Sequence, residues 1–166
     1  MFSVLNPTFV QHYKNRTMKI LYFSAAMLCA ALLSSQCKHP KYTAETLPDD
    51  RLAFGHGGGF TGVETTFTLL ENGQLFKSSS KAPETMELPG AKRKIAKKLF
   101  ETAESLGLLQ TEFMYPGNMY AFIEFQDDGQ KRRVAWGDRE HPVDPKIKDF
   151  YDQLMQLVRE KKPEHY

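Results

Sequence analysis

The stretch Val63-Glu64-Thr65-Thr66-Phe67-Thr68-Leu69-Leu70-Glu71-Asn72-Gly73-Gln74-Leu75-Phe76-Lys77 decides the fold class. Its first half is rich in β-branched and aromatic residues, Asn72-Gly73 is a turn dipeptide expected to hold both central residues at positive φ, and 74–77 returns as a second strand. The same sequence of signals recurs downstream. Residues 120–125 are aromatic-rich, Asp127-Asp128-Gly129 turns the chain, and 131–136 returns. Two such hairpins imply an antiparallel sheet.

The segments around the hairpins place the helices. Residues 77–89 are Ser-rich and bounded by Pro89, and read as a loop. Residues 91–106 carry Ile95, Leu99, Ala103 and Leu106 at helical spacing, with Gly107 placed to cap the C-terminus, and Leu108, Leu109 and Phe113 continue the buried surface. Asp144-Pro145 is an N-cap followed by a favoured first helical residue. From there Ile147, Phe150, Tyr151, Leu154, Leu157 and Val158 describe a helix to about Arg159. Ahead of the first hairpin, Leu52-Ala53-Phe54 reads as a short strand ending at the glycine segment 55–62. The expected fold is α+β: an antiparallel sheet of four to five strands, built from two hairpins, with two helices packed on one face in the order ββαββα. The ββα repeat is one of topology, with no convincing identity between the halves.

The chain has 166 residues, 41% hydrophobic and 25% charged, which suits one packed domain and excludes a two-domain enzyme or a large catalytic barrel. Its formal charge of +2 is misleading. Lys14, Arg16 and Lys19 precede residue 37 and no acid does; from 37 onward 19 basic residues face 20 acidic ones. Without the front segment, the charge argument for a nucleic-acid or polyanion partner largely disappears.

That front segment reads as an address. Lys19 is followed by an uncharged, mostly apolar run from Ile20 to Leu33, the arrangement of a secretory signal and shorter than the ~20 apolar residues of a comfortable membrane span. Met18 is the natural start, so 1–17 reads as a start-site extension, or else as an unusually long n-region, and 18–36 as the signal peptide. Leu33-Ser34-Ser35-Gln36-Cys37 resembles a bacterial lipobox, with Ser34 and Gln36 departing from the usual pattern. Lipidation of Cys37 is favoured; the alternative is an ordinary signal cleaved near 30–35, leaving Cys37 a free thiol. Two acyl chains make a stable anchor. Lys38 after the cysteine gives no reason for inner-membrane retention, so the expected location is the cell envelope, lipid-anchored, at the outer rather than the inner membrane. Cys29 is lost with the signal, so no intramolecular disulfide is expected. Residues 37–50 form the lipidated cysteine and a polar tether, and 51–160 the single domain.

Candidate chemistry is sparse. Gly57-Gly58-Gly59-Phe60-Thr61-Gly62 formally matches G-x-G-x-x-G, but a strand rather than a helix follows, against dinucleotide binding. A kinase-type glycine loop lacks its catalytic lobe, and His56-Gly57-Gly58-Gly59 imitates a lipase oxyanion loop with no G-x-S-x-G elbow anywhere. Two readings stay open: a flexible or bulged connection between strands, or an exposed loop in which Gly58, Gly59, Phe60, Thr61 and Gly62 present backbone and one aromatic ring to a partner. His56, His141 and His165 have no metal-ligand spacing, so neither metal nor cofactor is expected. Asp127-Asp128 belongs to a turn rather than to a catalytic pair, and Glu124 points from the open sheet face. Lys92, Arg93, Lys94, Lys97 and Lys98 are either a solvated helix face or a contact for anionic lipid or glycan. Trp136, Tyr120 and Phe122 read as core or sheet-face residues. No nucleophile, base and orienter can be assembled from spacing, so an enzyme is the least favoured class.

At Gly58-Gly59-Phe60-Thr61-Gly62 followed by a strand, the chain resembles the emfourin family, small bacterial inhibitors of thermolysin-like metallopeptidases such as protealysin. The correspondence runs from about Phe54 to Val158. It implies a strand leading into Gly-Gly-Phe-x-Gly, then strand, helix, a hairpin with an Asp-Gly turn, and a closing helix on the sheet. Family inhibitors are generally unanchored, which is where this chain departs. It also resembles uncharacterised small bacterial lipoproteins that carry the glycine segment and a Gly-Asn-Met-Tyr stretch, here Gly117-Asn118-Met119-Tyr120. The function expected from these features is a lipid-anchored envelope binding protein whose partner is an envelope protein, a metallopeptidase on the family resemblance. The alternative is a structural or accessory envelope lipoprotein without a peptidase target.

Overall fold

A computed structural model of the chain describes residues 41–159. The extension 1–17, the signal 18–36, Cys37 and His165 lie outside the described residues. Seven strands and two helices follow in order: β1 (Arg51–Gly58), β2 (Thr65–Leu69), β3 (Leu75–Ser79), β4 (Ala82–Leu88), α1 (Arg93–Ser105), β5 (Met114–Tyr115), β6 (Met119–Asp127), β7 (Gln130–Trp136) and α2 (Pro145–Arg159). They make one sheet in the order β4-β3-β2-β1-β6-β7-β5, antiparallel except for the two-residue β5 beside β7. The fold is α+β as expected. The strand count and the ββαββα order are corrected: four strands precede α1 and three precede α2.

Two of the added strands have physical reasons to escape a sequence reading. The segment 77–89, expected as a loop, supplies β4, which pairs Leu75 with Leu88, Phe76 with Glu87 and Lys77 with Met86. It is an edge strand, where Pro83 and two glutamates are tolerated because one side needs no ladder partner. β5 is only Met114 and Tyr115, held against Ala135 and Trp136, too short for any periodicity. β1 is also longer than Leu52-Ala53-Phe54. It runs through Gly55, His56, Gly57 and Gly58, each paired with a residue of β6.

Both predicted hairpins form, with different turns. Asp128 (φ 45°) and Gly129 (φ 74°) make a two-residue turn with both φ positive. At the first turn only Gly73 has positive φ; Gly73 N–H donates to the Leu70 carbonyl and Leu70 N–H to that of Gln74, which makes a three-residue loop. The expected pair of positive φ values at Asn72-Gly73 is therefore corrected. The Asn72 side chain instead accepts from the Gln74 N–H at 2.9 Å.

Leu52, Phe54, Phe67, Leu69, Ile123, Phe125 and Val134 face the two helices and form the core with them. α2 buries Ile147, Phe150, Leu154, Leu157 and Val158 as its spacing predicts, and the Asp144 carboxylate caps it by accepting from Lys146 N–H at 2.8 Å. α1 is turned relative to expectation. It buries Ala96, Leu99, Phe100 and Ala103, while Ile95 is 46% exposed and Leu106 only half-buried. Phe100 meets Phe125 edge-on at 5.9 Å, and this larger ring wins the core side of the helix. Gly107 (φ 63°) ends α1 as expected, with its N–H bonded to Glu104 and that of Leu108 to Ala103.

Strand direction sorts the connections between two ends of the sheet. The 58–64, 116–118 and 137–144 connections gather at one end. The turns after β2 and β6 and the start of α1 gather at the other. Tyr42, in the segment read as a tether, is held at this second end: its N–H donates to Gln74 Oε1 at 2.8 Å and its carbonyl accepts from Gln74 Nε2 at 3.0 Å.

Candidate functional site

The glycine segment does two jobs. Its first part, Gly55 and Gly57, lets rings from β6 lie across β1 on the face away from the helices. A Cβ at Gly57 would stand 2.6 Å from the Tyr120 hydroxyl, and one at Gly55 would collide with the Thr65 carbonyl oxygen of β2 and press on the Phe122 ring at 3.2 Å. Its second part, Gly58-Gly59-Phe60-Thr61-Gly62, leaves the sheet as a tight turn. Gly58, Gly59 and Gly62 have φ of 95°, 70° and 60°, a region that other residues enter only with strain. Gly62 N–H donates to the Gly59 carbonyl at 3.1 Å, so Phe60 and Thr61 occupy the two corners. Phe60 is fully exposed, at 108% relative accessibility.

The turn is anchored to the second stretch singled out in the sequence. Gly59 N–H donates to the Asn118 carbonyl at 2.7 Å, Gly58 pairs with Met119, and a Cβ on Gly59 would meet the Met119 sulfur at 3.0 Å. Met119 is itself 64% exposed. Phe60 and Met119 thus share this end of the sheet, with Tyr115 at its β5 side stacked on His141 at 4.1 Å. His141 Nδ1 lies 2.6 Å from Asp138 Oδ2; this hydrogen bond, with those from the Glu140 and Arg139 backbone, holds the Asp138 carboxyl below its ordinary value.

Just after the turn in sequence, a charged brace ties the chain to β6 and β7. Glu64, the first residue after Val63, is fixed at both backbone groups by Ser80: its N–H donates to Ser80 Oγ at 2.9 Å, and its carbonyl accepts from Ser80 N–H at 2.9 Å. Its carboxylate takes Arg133 at two points, Nη2 to Oε2 at 2.6 Å and Nη1 to Oε1 at 3.3 Å, and accepts the Tyr120 hydroxyl at 2.7 Å. The Arg133 guanidinium lies 3.7 Å above the centre of the Phe122 ring, which is only 1% exposed although it faces away from α1 and α2. Partial burial pushes the Glu64 carboxyl up. The Arg133 and Tyr120 hydrogen bonds, the Arg133 charge and Thr66 outweigh it and hold the pKa below the ordinary value. The same hydrogen bond, chiefly, raises the Tyr120 phenol. With both oxygens engaged, this carboxylate is a structural acceptor rather than a poised base.

Other sequence candidates fall apart in space or into structural roles. Glu124 does project from the face away from α1 and α2 and pairs with Lys131 at 2.8 Å. Asp128 N–H donates to the Asp50 carboxylate, within a turn. Trp136 packs edge-on to Tyr151 of α2 at 5.2 Å, so it belongs to the core side. His56 is exposed. Among the described residues no group of three His, Cys, Asp or Glu could hold a metal ion, and no helix is long and apolar enough to cross a membrane. The Glu64–Arg133 pair escaped the sequence reading because 69 residues separate its partners. Only the register of β1 with β2 and β6, and of β6 with β7, brings them together. Compared with known proteins, the chain matches no family model and no curated protein.

Proposed function

We propose that the protein is an exported envelope lipoprotein, anchored through Cys37, that binds a protein partner with the 58–62 turn and inhibits a thermolysin-like metallopeptidase. One observation carries the binding role: a fully exposed Phe60 at the corner of a turn whose own backbone is tied to Asn118 and closed by the Gly62–Gly59 hydrogen bond. A solitary exposed ring on a mobile loop would gain little by docking, because ordering the loop offsets the gain. Here two backbone hydrogen bonds already hold the turn, which lowers that cost and leaves more of the burial of Phe60, worth about 1.5–3 kcal/mol, to the complex. A protruding, preorganised apolar tip suits a concave cleft. The choice of a metallopeptidase comes from the resemblance of Gly58-Gly59-Phe60-Thr61-Gly62 to the emfourin motif, and the envelope location from the signal and lipobox pattern.

Titration of residues 38–166 into a thermolysin-type peptidase tests this. Slowing is expected at protein concentrations on the order of micromolar, weakened about 10- to 100-fold by Phe60→Ala. Absence of slowing removes the inhibitor role in favour of an accessory lipoprotein. Cys37→Ser is expected to release the chain from the membrane fraction, and unchanged detergent partitioning removes the anchor.

A further inference from the structure

We infer that the α1 side of the domain, opposite the glycine turn, is a docking surface for an anionic phospholipid bilayer. This rests on the lipid anchor at Cys37 for its orientation, and on the helix surface for its chemistry. The clasp between Tyr42 and Gln74 fixes where the chain enters the domain. Three residues separate Lys41 from Cys37, four Cα–Cα steps that reach at most about 14 Å. The neighbouring Gly73 carbonyl accepts the Ala91 N–H at 2.8 Å, so the start of α1 is bonded to the same turn that holds Tyr42. Lys41 and Tyr42 lie beside Phe76 and Glu87 on the sheet face away from the helices, so an acylated Cys37 brings this end of the domain, where α1 starts on the other face, to the membrane and leaves Phe60 at the far end.

What α1 presents there suits phospholipid. Lys92, Arg93, Lys94, Lys97 and Lys98 fall within its first two turns, which contain no acid. Among the described residues, Lys92, Lys94, Lys97 and Lys98 make no ion pair within 4.0 Å. The acids of this end, Asp49, Asp50, Glu71, Glu87, Asp127 and Asp128 among them, belong to the sheet, its strand termini and its turns, whereas the basic cluster stands on the helix layer. Ile95 is exposed among these lysines, at the mouth of a cleft of about 450 Å³ between α1 and α2, whose lining includes Lys94, Lys98, Leu99 and Leu157. Cations ringing an exposed aliphatic side chain match a surface of phosphate headgroups over hydrocarbon. They also explain why a helix with no N-terminal capping side chain keeps cations where its dipole prefers acids.

The test uses the full chain, purified from membranes and mixed with vesicles of phosphatidylcholine alone or with added phosphatidylglycerol, and reads the acylation rate of each lysine by mass spectrometry. Lys94 and Lys98 are expected to react about fivefold more slowly on the anionic vesicles, with the difference lost at high salt. Lys81 and Lys146, exposed at the glycine-turn end, are expected to react equally on both. Equal rates at Lys94 and Lys98 on the two vesicle types overturn the inference, as does equal slowing of Lys81. Slowing on both types that grows with chain density marks contact between copies, and also overturns it. Flotation on pure phosphatidylcholine reports the anchor alone. A chain that fails to float there yet keeps its anionic-vesicle protection refutes the anchor and supports the α1 surface.

Discussion

Tyr120 lies across the backbone of Gly57, so close that a Cβ at position 57 would stand 2.6 Å from its phenol oxygen. Glycine there is what allows the hydroxyl to reach Glu64. Gly57→Ala is expected to destabilise the fold by about 1–3 kcal/mol, through displacement of the ring and loss of that hydrogen bond. In a Tyr120→Ala background the same substitution should cost much less. Urea denaturation of the four variants in the cycle measures the coupling, and strict additivity would contradict the contact.

The brace also predicts a pH dependence. The folded-state pKa of Glu64 is depressed, so the unfolded chain binds the extra proton in the acid range. Its stabilisation is fully present above the ordinary carboxylate value of about 4.3 and disappears as pH falls through the lower folded value. Tyr120, raised by its bond to Glu64, acts at the other limit: its contribution is complete below about pH 10 and is lost as pH rises through the folded value. Unfolding midpoints measured against pH for the wild type and Glu64→Gln should converge toward the acid end. Parallel curves would show that the carboxylate carries no linkage.

The two helix starts make opposite predictions. Asp144→Ala removes the cap from α2 and should cost about 1 kcal/mol. α1 begins at Lys92 without a capping side chain, so Lys92→Asp should stabilise it by about 1 kcal/mol. If α1 faces anionic lipid, the same substitution should weaken attachment to phosphatidylglycerol vesicles. Thermal unfolding and vesicle flotation of the one variant separate the two effects.

On α1 itself, Ile95→Ala should change stability by less than about 0.5 kcal/mol, whereas Phe100→Ala should cost about 3–5 kcal/mol. Sequence periodicity centred on Ile95 anticipates the reverse. Equilibrium denaturation of both variants decides which face is buried.

Much of the fold was legible because its signals are local. Asp-Gly at 128–129, the Asp144 cap with Pro145, Gly107 after α1 and the apolar spacing of α2 each act through neighbours within a few residues. β4 was not legible, since Glu84 and Glu87 are acceptable only at a sheet edge, and edge position depends on the whole strand order. The face of α1 was misjudged for a related reason. Ile95 and Phe100 both offer an apolar side chain, and Phe125 across the core chose between them.

For the candidate site, residues 58–62 were identifiable from composition alone, because so many glycines in one segment require an unusual backbone. Composition could not say that Gly55 and Gly57 belong to a strand under aromatic rings while Gly58 and Gly59 belong to the turn. Nor could it join Glu64 to Arg133. That division and that ion pair follow from the β1–β6 and β6–β7 registers, which are set by packing the alternating apolar residues against the helices. Sequence determined that a glycine-rich connection carrying Phe60 would leave β1; tertiary structure decided that this connection is a tight turn tied to Asn118 with the ring exposed, because only the pairing of β1 with β6 brings that carbonyl to Gly59.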